Sequence, residues 1–595
     1  MSATEEKMNM DTVDKIIRGE EIEQSSSQAS FYPPADHPRL TWKETLTTKR
    51  GWYGEYDYAA LCMPRLPFIG RSKSVSSPFF GPNDEIPILV ALLMGIQHFL
   101  AVIGGVITPT VIISGSGAGY LNLDESTRQY LTSASLILSG IMSLIQIIRV
   151  RIPKTQYYIG SGLLQITGVA FSNIPAASAM ISTMYDDGTC HKELQPDGTY
   201  IYSPCPDAYG AVLGTSIVCA LLSILISFLP PKIMKRIFPK SVTGVVLTVI
   251  GASLIVSGMK NWAGGSSPCI DRPESGIFAL CPTIYAPNAQ QWGSPAYIGL
   301  GASVFITIII VEIVGSIFLK NTSVVIGLLV GCAIAGGVGM MDGSGIADAP
   351  AITFLWVKTF KLSVYGPGII PFLFVYIDYI VECIGDLTAA CEVSKLPVDG
   401  DEFNSRCQGG LLADGLSGIF SGLGTSMGVV TFSQNNGIIA VTRCASRKAG
   451  VICAVLLILC GVFGKIAAAF LAIPSSVMGG MTVFLFSSVA TSGIRILGLL
   501  SWSRRDRIVV AGSLALALGV ALVPNFFAYL LPTVENVALQ GFYDAISTVL
   551  STGYIMAGIG SILLNLVLPE DAADPEDIQL KEKSPASSIQ PGMVV

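Results

Sequence analysis

Four acidic side chains lie in stretches that are otherwise apolar, and their types and spacing suggest chemistry. Asp378, Glu382 and Asp386 recur every four residues in IIPFLFVYIDYIVECIGDLTAA, so a helix would place the three carboxyl groups on one face. Asp414 lies in the next apolar stretch, CQGGLLADGLSGIF. A carboxylate in such a segment needs a cation, a proton, water or a polar ligand as its partner. These partners remain alternatives, except that a metal is disfavoured because His and Cys are absent at ligand spacing.

A run of three amides, Gln434, Asn435 and Asn436, lies in the segment TFSQNNGIIAVTR at residues 431–443. Amide side chains and the free N–H groups at the start of a helix offer both hydrogen-bond donors and acceptors. A helix cap or an interhelical hydrogen-bond cluster would also use amides, but three in succession favour a ligand site. His98, preceded by Gln97, is the only histidine within a predicted span, and a structural role and a role near the site are alternatives.

The composition indicates that these residues belong to a membrane protein. The 595-residue chain is 51% hydrophobic and 13% charged, with a mean hydropathy of +0.59, whereas soluble proteins carry about 25% charged residues. Apolar runs long enough to cross a hydrocarbon core of about 30 Å recur along it. We predict an all-α polytopic membrane protein with fourteen transmembrane spans, which begin near Ile86, Gln129, Ile159, Gly210, Ser241, Tyr297, Ser323, Pro367, Cys407, Thr431, Ala449, Pro474, Ile508 and Gly541.

The charged loops predict the orientation of the chain, because cytoplasmic loops are enriched in Lys and Arg. If both termini are cytoplasmic, every large cluster of Lys and Arg between spans falls on the inner side. Residues 1–85 lack the pattern of a cleaved signal peptide, and we expect a cytoplasmic tail there. Residues 570–595 are acidic and contain Ser and Pro, so we expect a disordered cytoplasmic tail.

Two predicted spans do not suit one continuous helix. The third, YIGSGLLQITGVAFSNIPAASAM, contains three glycines, an asparagine and a proline, and the tenth opens with the amide run. They hold equivalent places in two successive sets of seven spans and cross the membrane in opposite directions. This predicts a seven-plus-seven inverted repeat, in which short non-helical stretches of spans 3 and 10 meet near the midplane and direct helix N-termini at a substrate.

The cysteines and the missing enzyme motifs narrow the function further. Cys190 and Cys205 share one predicted outer loop, and Cys269 and Cys281 share another. Each pair could form a disulfide in an oxidising exterior, and free thiols are the alternative. The sequence has no P-loop, no G-x-S-x-G elbow and no H-E-x-x-H helix. We therefore expect no enzyme activity, no cofactor and no nucleic-acid partner.

The ten residues from Gln434 to Arg443 fit every position of the signature Q/E/P-N-x-G-x-x-x-x-T-R/K/G. In this the chain resembles the nucleobase–ascorbate transporter family, also called nucleobase–cation symporter family 2. Similar motifs are Gln97-His98, ECIGD at 382–386, LLADG at 411–415 and SVMGGM at 476–481. The segments GEYDYAALCMPRLPF and FFGPNDEIP look like those of fungal uric acid–xanthine permeases of the UapA type. The resemblance covers about residues 50–570.

The resemblance implies a dimeric proton symporter of the plasma membrane, with a core domain that moves against a gate domain. The core domain would comprise residues 86–230, with spans 1–4, and residues 346–472, with spans 8–11. The gate domain would comprise residues 231–345, with spans 5–7, and residues 473–569, with spans 12–14. Protons would be co-transported without a further cofactor, and the lipid bilayer would surround the homodimer.

The resemblance also implies roles for individual residues. Glu382 and Gln434 would bind a purine by hydrogen bonds, Phe171 would stack on it, and backbone groups near Ser433 would assist. Ala170 stands where fungal relatives can carry Ser. Support of the site, proton linkage or shaping of the half-helix is expected of Asp414, Asp386, His98, Asn435, Asn436, Gly437, Thr442 and Arg443. Arg495 and Phe527 match gate positions that filter substrates. The family suggests no role for Asp378, and a second proton-linked acid is a hypothesis.

Proton-coupled uptake of xanthine and uric acid by elevator-type alternating access is therefore the expected function. Gln at the first signature position resembles the xanthine and uric acid group, whereas Glu there resembles uracil transporters and Pro resembles ascorbate transporters. Transport of hypoxanthine, guanine, uracil or ascorbate is the alternative within transporters, and a purine sensor that does not transport is the alternative outside them. Either Glu382 or Asp414 could carry the proton.

Overall fold

Helices dominate the computed structural model of this chain. It describes residues 79–569 apart from 196–199, 230–232, 234–236, 238, 275, 399, 499, 501, 524–525, 528 and 533–536, together with residues 44, 47–54, 56 and 58–63. The predicted disordered tail at 570–595 and most of the predicted N-terminal tail lie outside the described residues.

The helices follow the apolar stretches of the sequence. In chain order they are α1 (Lys49–Tyr53), α2 (Tyr58–Cys62), α3 (Ile88–Ile113), α4 (Glu125–Ile147), α5 (Asn173–Asp186), α6 (Pro206–Ser227), α7 (Lys240–Trp262), α8 (Pro295–Val314), α9 (Ile317–Asn321), α10 (Ser323–Gly337), α11 (Ser344–Asp348), α12 (Gly366–Val393), α13 (Asp401–Leu423), α14 (Gln434–Thr442), α15 (Arg447–Val462), α16 (Gly464–Leu471), α17 (Ser475–Leu497), α18 (Arg504–Leu522), α19 (Val537–Ser551) and α20 (Gly553–Val567).

Seven of the described helices are long and apolar enough to cross a membrane: α3, α4, α6, α7, α8, α12 and α17. An eighth span results if α15 and α16, which bend by 81° at their junction, count as one. Two shorter helices, α10 and α20, are apolar as well. The membrane-spanning class of the protein follows from these helices, whereas the count of fourteen spans stays a prediction.

In the described part of the chain, six short strands pair into three small antiparallel sheets. They are β1 (Val150–Arg151) with β2 (Tyr158–Ile159), β3 (Thr167–Val169) with β6 (Val429–Thr431), and β4 (Lys192–Leu194) with β5 (Tyr200–Tyr202). Strands β3 and β6 are fully buried; β3 lies within predicted span 3, and β6 ends at Thr431, where span 10 is predicted to begin. Non-helical backbone at membrane depth needs hydrogen-bond partners from protein, and each strand supplies those of the other.

The pairing of β3 with β6 brings the starts of two short helices together. Thr167 faces Thr431 and Val169 faces Val429, and α5 and α14 begin a few residues after their strands. The register depends on Gly168, because a Cβ atom at this position would lie 2.5 Å from the ring of Phe432. The pairing of β3 with β6 therefore requires glycine at position 168, because the ring of Phe432 packs against the backbone there.

Two groups of helices pack around different partners. Helices α12 and α13 pack against α6, and α15 packs against α3 and α4. Helix α7 packs against α17 and α20, and α8 packs against α10 and α17. Helix α12 also contacts α7 and α19, so the two groups meet along it. This arrangement is compatible with the predicted core and gate domains, whose boundaries stay a prediction.

The loops that the sequence predicts to be outer are held by disulfides and by charges. Cys190 is bonded to Cys205 and Cys269 to Cys281, so both pairs that the sequence left open are disulfides in the structure. Asp124 begins α4 as its N-cap. Burial would raise the pKa of Asp124, but hydrogen bonds from neighbouring side chains and the ammonium group of Lys358 hold it below its usual range.

Candidate functional site

Three of the predicted acids lie on one face of α12. Asp378 is 2% exposed and Asp386 6%, whereas Glu382 between them is partly exposed. Oδ1 of Asp378 and Oδ2 of Asp386 are buried without a hydrogen-bond partner among the described residues. No described residue donates a hydrogen bond to the carboxyl group of Glu382. Because a buried polar group without a partner is costly, this face is suited to N–H donors of a ligand or to a proton.

Two of the three amides are hydrogen-bonded within the protein, whereas the oxygen of the third has no partner among the described residues. Asn435 Oδ1 lies 2.9 Å from His98 Nδ1, and Asn435 Nδ2 donates to the carbonyl of Phe432 at 3.3 Å. Asn436 Nδ2 donates to the carbonyl of Asp386 at 3.1 Å. Oε1 of Gln434 is buried and has no hydrogen-bond partner among the described residues. Asn435 and Asn436 thus hold α14 in place, and Gln434 presents its amide to the site.

One carbonyl of α12 accepts hydrogen bonds from an amide of α14 and from an amide of the segment before β3. Gln165 Nε2 and Asn436 Nδ2 both donate to the carbonyl oxygen of Asp386, at 3.2 and 3.1 Å. Glu382 lies one turn before Asp386 on α12, and Gln434 lies two residues before Asn436 on α14. The bond between α12 and α14 therefore joins the two helices that carry the unbonded carboxyl group of Glu382 and the unbonded Oε1 of Gln434, and we take the region around it as the candidate site.

Aromatic rings close one side of this region. The ring of Phe171 lies nearly parallel to that of Phe432, with 10° between the planes and 6.1 Å between the centroids. Phe486 of α17 meets Phe171 edge to face at 5.2 Å. Phe171 follows β3 by two residues, and Ala170, beside it, uses its backbone N–H to bond the carbonyl of Gly428 at 3.2 Å. The site therefore combines a carboxyl group, an amide and a flat apolar face.

Asp414 lies on α13 and is held by side chains rather than left open. Gln146 Nε2 donates to Asp414 Oδ1 at 3.2 Å. The backbone N–H and the hydroxyl of Thr431 both donate to Oδ2 at 3.4 Å. Asp414 is 2% exposed, and the thiol of Cys383 on α12 is a further hydrogen-bond partner. The carboxyl group of Asp414 thus fixes β6, the strand that precedes the amide run, and links α13 to the helix of Glu382.

Helix α14 has free space beside its middle, at Gly437, and its C-terminal end contacts the N-terminal segment. A Cβ atom at Gly437 would meet nothing within 4 Å, and Gly437 is exposed. Thr442 is buried, and its carbonyl accepts a hydrogen bond of 3.0 Å from the Tyr56 hydroxyl. Arg443 ends the helix in the left-handed conformation, with φ of 59°. Gly437 thus has free space beside it, and Thr442 and Arg443 shape the end of α14.

The structure does not bring the two predicted filter residues to the site. Arg495 is exposed in the last turn of α17. Phe527 is half-buried, and its ring packs edge to face on Phe526 at 4.8 Å. In the described part of the chain, no hydrogen bond or ring contact joins either residue to Glu382, Gln434 or Phe171. Their filtering role stays a prediction.

Four residues that build the site were not predicted from the sequence: Phe432, Phe486, Gln146 and Gln165. Phe432 could have been found, because it stands two residues before Gln434 in the segment TFSQNNGIIAVTR. Gln146 lies near the end of an apolar stretch and Gln165 lies inside predicted span 3, and a single glutamine at such a place is a weaker signal. Phe486 is one of many phenylalanines in apolar spans, and only its contact with Phe171 distinguishes it.

Comparison with known proteins shows that the chain is similar to permeases. A family model described as "Permease family" matches residues 89–526. The chain is 48% identical to the uric acid–xanthine permease of Emericella nidulans over 93% of its length and 95% of the relative's length. It is 46% identical to the purine permease of the same organism, covering 94% and 96% of the two chains. It is 33% identical to the xanthine permease XanQ of Escherichia coli, covering 83% and 94%.

A solved structure with some likeness is the transmembrane domain of a cyanobacterium bicarbonate transporter, BicA. The TM-score is 0.45 at 15% sequence identity, over 79% of this chain and 96% of that chain. The family and the relatives are permeases, that is, transporters and not enzymes.

Proposed function

The chain belongs to this permease family, the nucleobase–ascorbate transporters, and we propose that it takes up purines, foremost xanthine and uric acid, across the plasma membrane together with protons. The names of the relatives support a purine as the substrate, since they include uric acid–xanthine, purine and xanthine permeases. The long apolar helices support the membrane location.

The observation that carries the proposal is a pair of unbonded polar groups on two helices in contact, α12 and α14. Oε1 of Gln434 is buried without a described partner, and no described residue donates a hydrogen bond to Glu382 of α12. Xanthine presents N–H donors and carbonyl acceptors around a flat ring. A carboxylate accepts from N–H donors, an amide pairs one donor with one acceptor, and the ring of Phe171 covers a face. The purine would supply the hydrogen bonds that these groups lack.

Two acids are candidates for the proton. Coupling requires an acid whose affinity for protons changes as the site opens to either side of the membrane. Glu382 is partly exposed and would sense both the purine and the opening. Asp414 is enclosed and bonded to Gln146 and Thr431, so a change in its proton would act on the backbone of β6. In either case, binding of a proton to one of these acids would influence binding of the purine.

Movement of one helix group against the other would carry the purine across. The proposed binding groups lie on α12, α14 and the strand segments, whereas Phe486, which touches Phe171, lies on α17 of the other group. Displacement of these groups would open the site to one side and close it to the other, as in alternating access by an elevator-type mechanism. The proposal includes fourteen spans in an inverted repeat, cytoplasmic termini and a homodimer.

The test is uptake of radiolabelled xanthine into cells that lack their own purine permeases. Uptake is measured with and without a proton uncoupler, and with uric acid, hypoxanthine, uracil and ascorbate as competitors. We expect uptake that the uncoupler abolishes and that uric acid competes most strongly. Stronger competition by uracil or ascorbate would indicate that one of these compounds is the preferred substrate. Uptake that resists the uncoupler would show that transport is not coupled to protons. If xanthine is not taken up, each competitor is tested in labelled form, and absence of uptake for all of them despite normal surface amounts would refute transport.

A further inference from the structure

We propose that Tyr379, Asn173 and Gly428 form a positioning triad that sets how tightly and how selectively the permease binds its purine. None of the three is expected to touch the substrate. The inference rests on the proposed function, because it takes Glu382 and Phe171 as groups that contact the purine.

Short hydrogen bonds join the three members of the triad. The hydroxyl of Tyr379 lies 2.8 Å from Oδ1 of Asn173 and 3.1 Å from the carbonyl oxygen of Gly428. With its single proton it donates to Asn173 through the shorter contact or to both oxygens in a bifurcated bond. Nδ2 of Asn173 donates to the same Gly428 carbonyl at 2.9 Å. The carbonyl of Gly428 therefore collects donors from two separate segments.

Each member belongs to a different segment that carries a purine-binding group. Tyr379 lies on α12, one turn before Glu382. Asn173 begins α5, two residues after Phe171. Gly428 directly precedes β6, the strand that leads to the amide run at the start of α14. The triad is thus a place where all three segments are bonded to one another, and it fixes the carboxyl group, the ring and the amide relative to each other.

The triad is buried, and it leaves no room for a side chain at position 428. Tyr379 is 1% exposed and Asn173 is 0% exposed. A Cβ atom at Gly428 would lie 2.9 Å from the hydroxyl oxygen of Tyr379, so a side chain at this position would displace it. Buried polar networks of this kind specify one arrangement when every member is satisfied. Loss of one bond should therefore shift the segments that it joins rather than leave them unaffected.

Tyr376 provides a matched control for Tyr379. It lies three residues earlier on α12, is 0% exposed, and its ring contacts that of Tyr379 at 4.8 Å. Its hydroxyl, however, pairs with Ser216 Oγ of α6 at 2.9 Å and not with a strand segment. If a buried tyrosine hydroxyl mattered only for stability, its loss at either position should have similar effects. If the triad positions the site, only Tyr379 should affect purine binding.

The experiment compares the kinetics of xanthine uptake and inhibition by uric acid in the wild type, Tyr379→Phe and Tyr376→Phe, with surface amounts measured in the same cells. We expect Tyr379→Phe to raise KM for xanthine about tenfold, because small displacements of positioned groups have large effects on binding. The order of inhibitors should change with it. Tyr376→Phe should leave KM and the inhibitor order unchanged, whatever its effect on the surface amount. Asn173→Ser, which removes the amide from the same triad, should resemble Tyr379→Phe.

The triad is refuted as a positioning element if both Tyr→Phe variants change KM equally. It is also refuted if Tyr379→Phe and Asn173→Ser keep the KM and the inhibitor order of the wild type. If Tyr379→Phe does not reach the surface, Asn173→Ser and the control decide between the outcomes. Uptake by the wild type is measured first, so a failure of the proposed function appears in the wild type and a failure of the triad appears only in the variants.

Discussion

Nδ1 of His98 on α3 donates a hydrogen bond to Oδ1 of Asn435 on α14, with 2.9 Å between the two atoms. An amide oxygen only accepts, so Nδ1 carries the proton. The second bond of Asn435, from Nδ2 to the carbonyl of Phe432, fixes the amide in the orientation that directs Oδ1 at the imidazole. The contact joins residues 337 positions apart and holds the start of α14. His98 thus has a structural bond to the residue next to Gln434.

The first prediction concerns this bond. Asn at position 98 would place a donor nitrogen near the place of Nδ1, whereas Leu would supply none. We expect His98→Asn to retain part of the uptake and His98→Leu to lose at least about tenfold, because a buried acceptor left without its donor costs about 1–3 kcal/mol. Xanthine uptake corrected for surface amount measures this. Equal activity of the two variants would contradict a donor role for Nδ1.

The second prediction concerns Glu382. Glu382→Gln removes the negative charge and one acceptor but keeps the shape of the side chain. We expect xanthine uptake to be nearly abolished while surface amounts persist, because the carboxylate would accept N–H donors of the purine. Glu392→Gln, on the same helix but exposed, is the control and should be neutral. Full uptake in Glu382→Gln would remove this residue from the site.

The third prediction concerns the one amide of the run whose oxygen has no described partner. Gln434→Glu replaces the amide nitrogen, a donor, by an acceptor, so the pairing with the ligand must change. Sites built to bond a particular group reject analogues that lack it. We expect preference to shift among xanthine, uric acid and uracil, measured as the inhibition profile of residual uptake. An unaltered profile would indicate that Gln434 is structural.

The fourth prediction contrasts two glycines, Gly168 on β3 and Gly437 on α14. A Cβ atom at Gly168 would lie 2.5 Å from the Phe432 ring, whereas one at Gly437 would meet nothing within 4 Å. Overpacking a buried position typically costs about 1–3 kcal/mol. We expect Gly168→Ala to lower the thermal midpoint of the purified protein and Gly437→Ala to leave it near that of the wild type. Equal midpoints would mean that the β3–β6 crossing adapts to a methyl group.

Much of the architecture is encoded locally. Predicted span starts at Ser241, Ser323 and Pro367 lie within one residue of the helix starts, because a long apolar run both forms a helix and ends at polar or glycine-rich segments. The positions of the two non-helical stretches were also visible in the sequence, since glycine and amide residues interrupt the apolar pattern there. The acids of α12 fall on one face because the helical repeat alone sets their direction.

The sequence by itself therefore determined which segments are apolar enough to form membrane helices, where two of them break, and which polar residues accompany the breaks. Only the tertiary structure decided that Asn435 and Asn436 are bonded while Gln434 is available, that β3 pairs with β6, and that Phe486 meets Phe171. The physical reason is the range of the interactions. Hydropathy and helical periodicity act over a few neighbouring residues, whereas each of these contacts joins segments far apart in the chain, and three adjacent amides look alike until their partners are known.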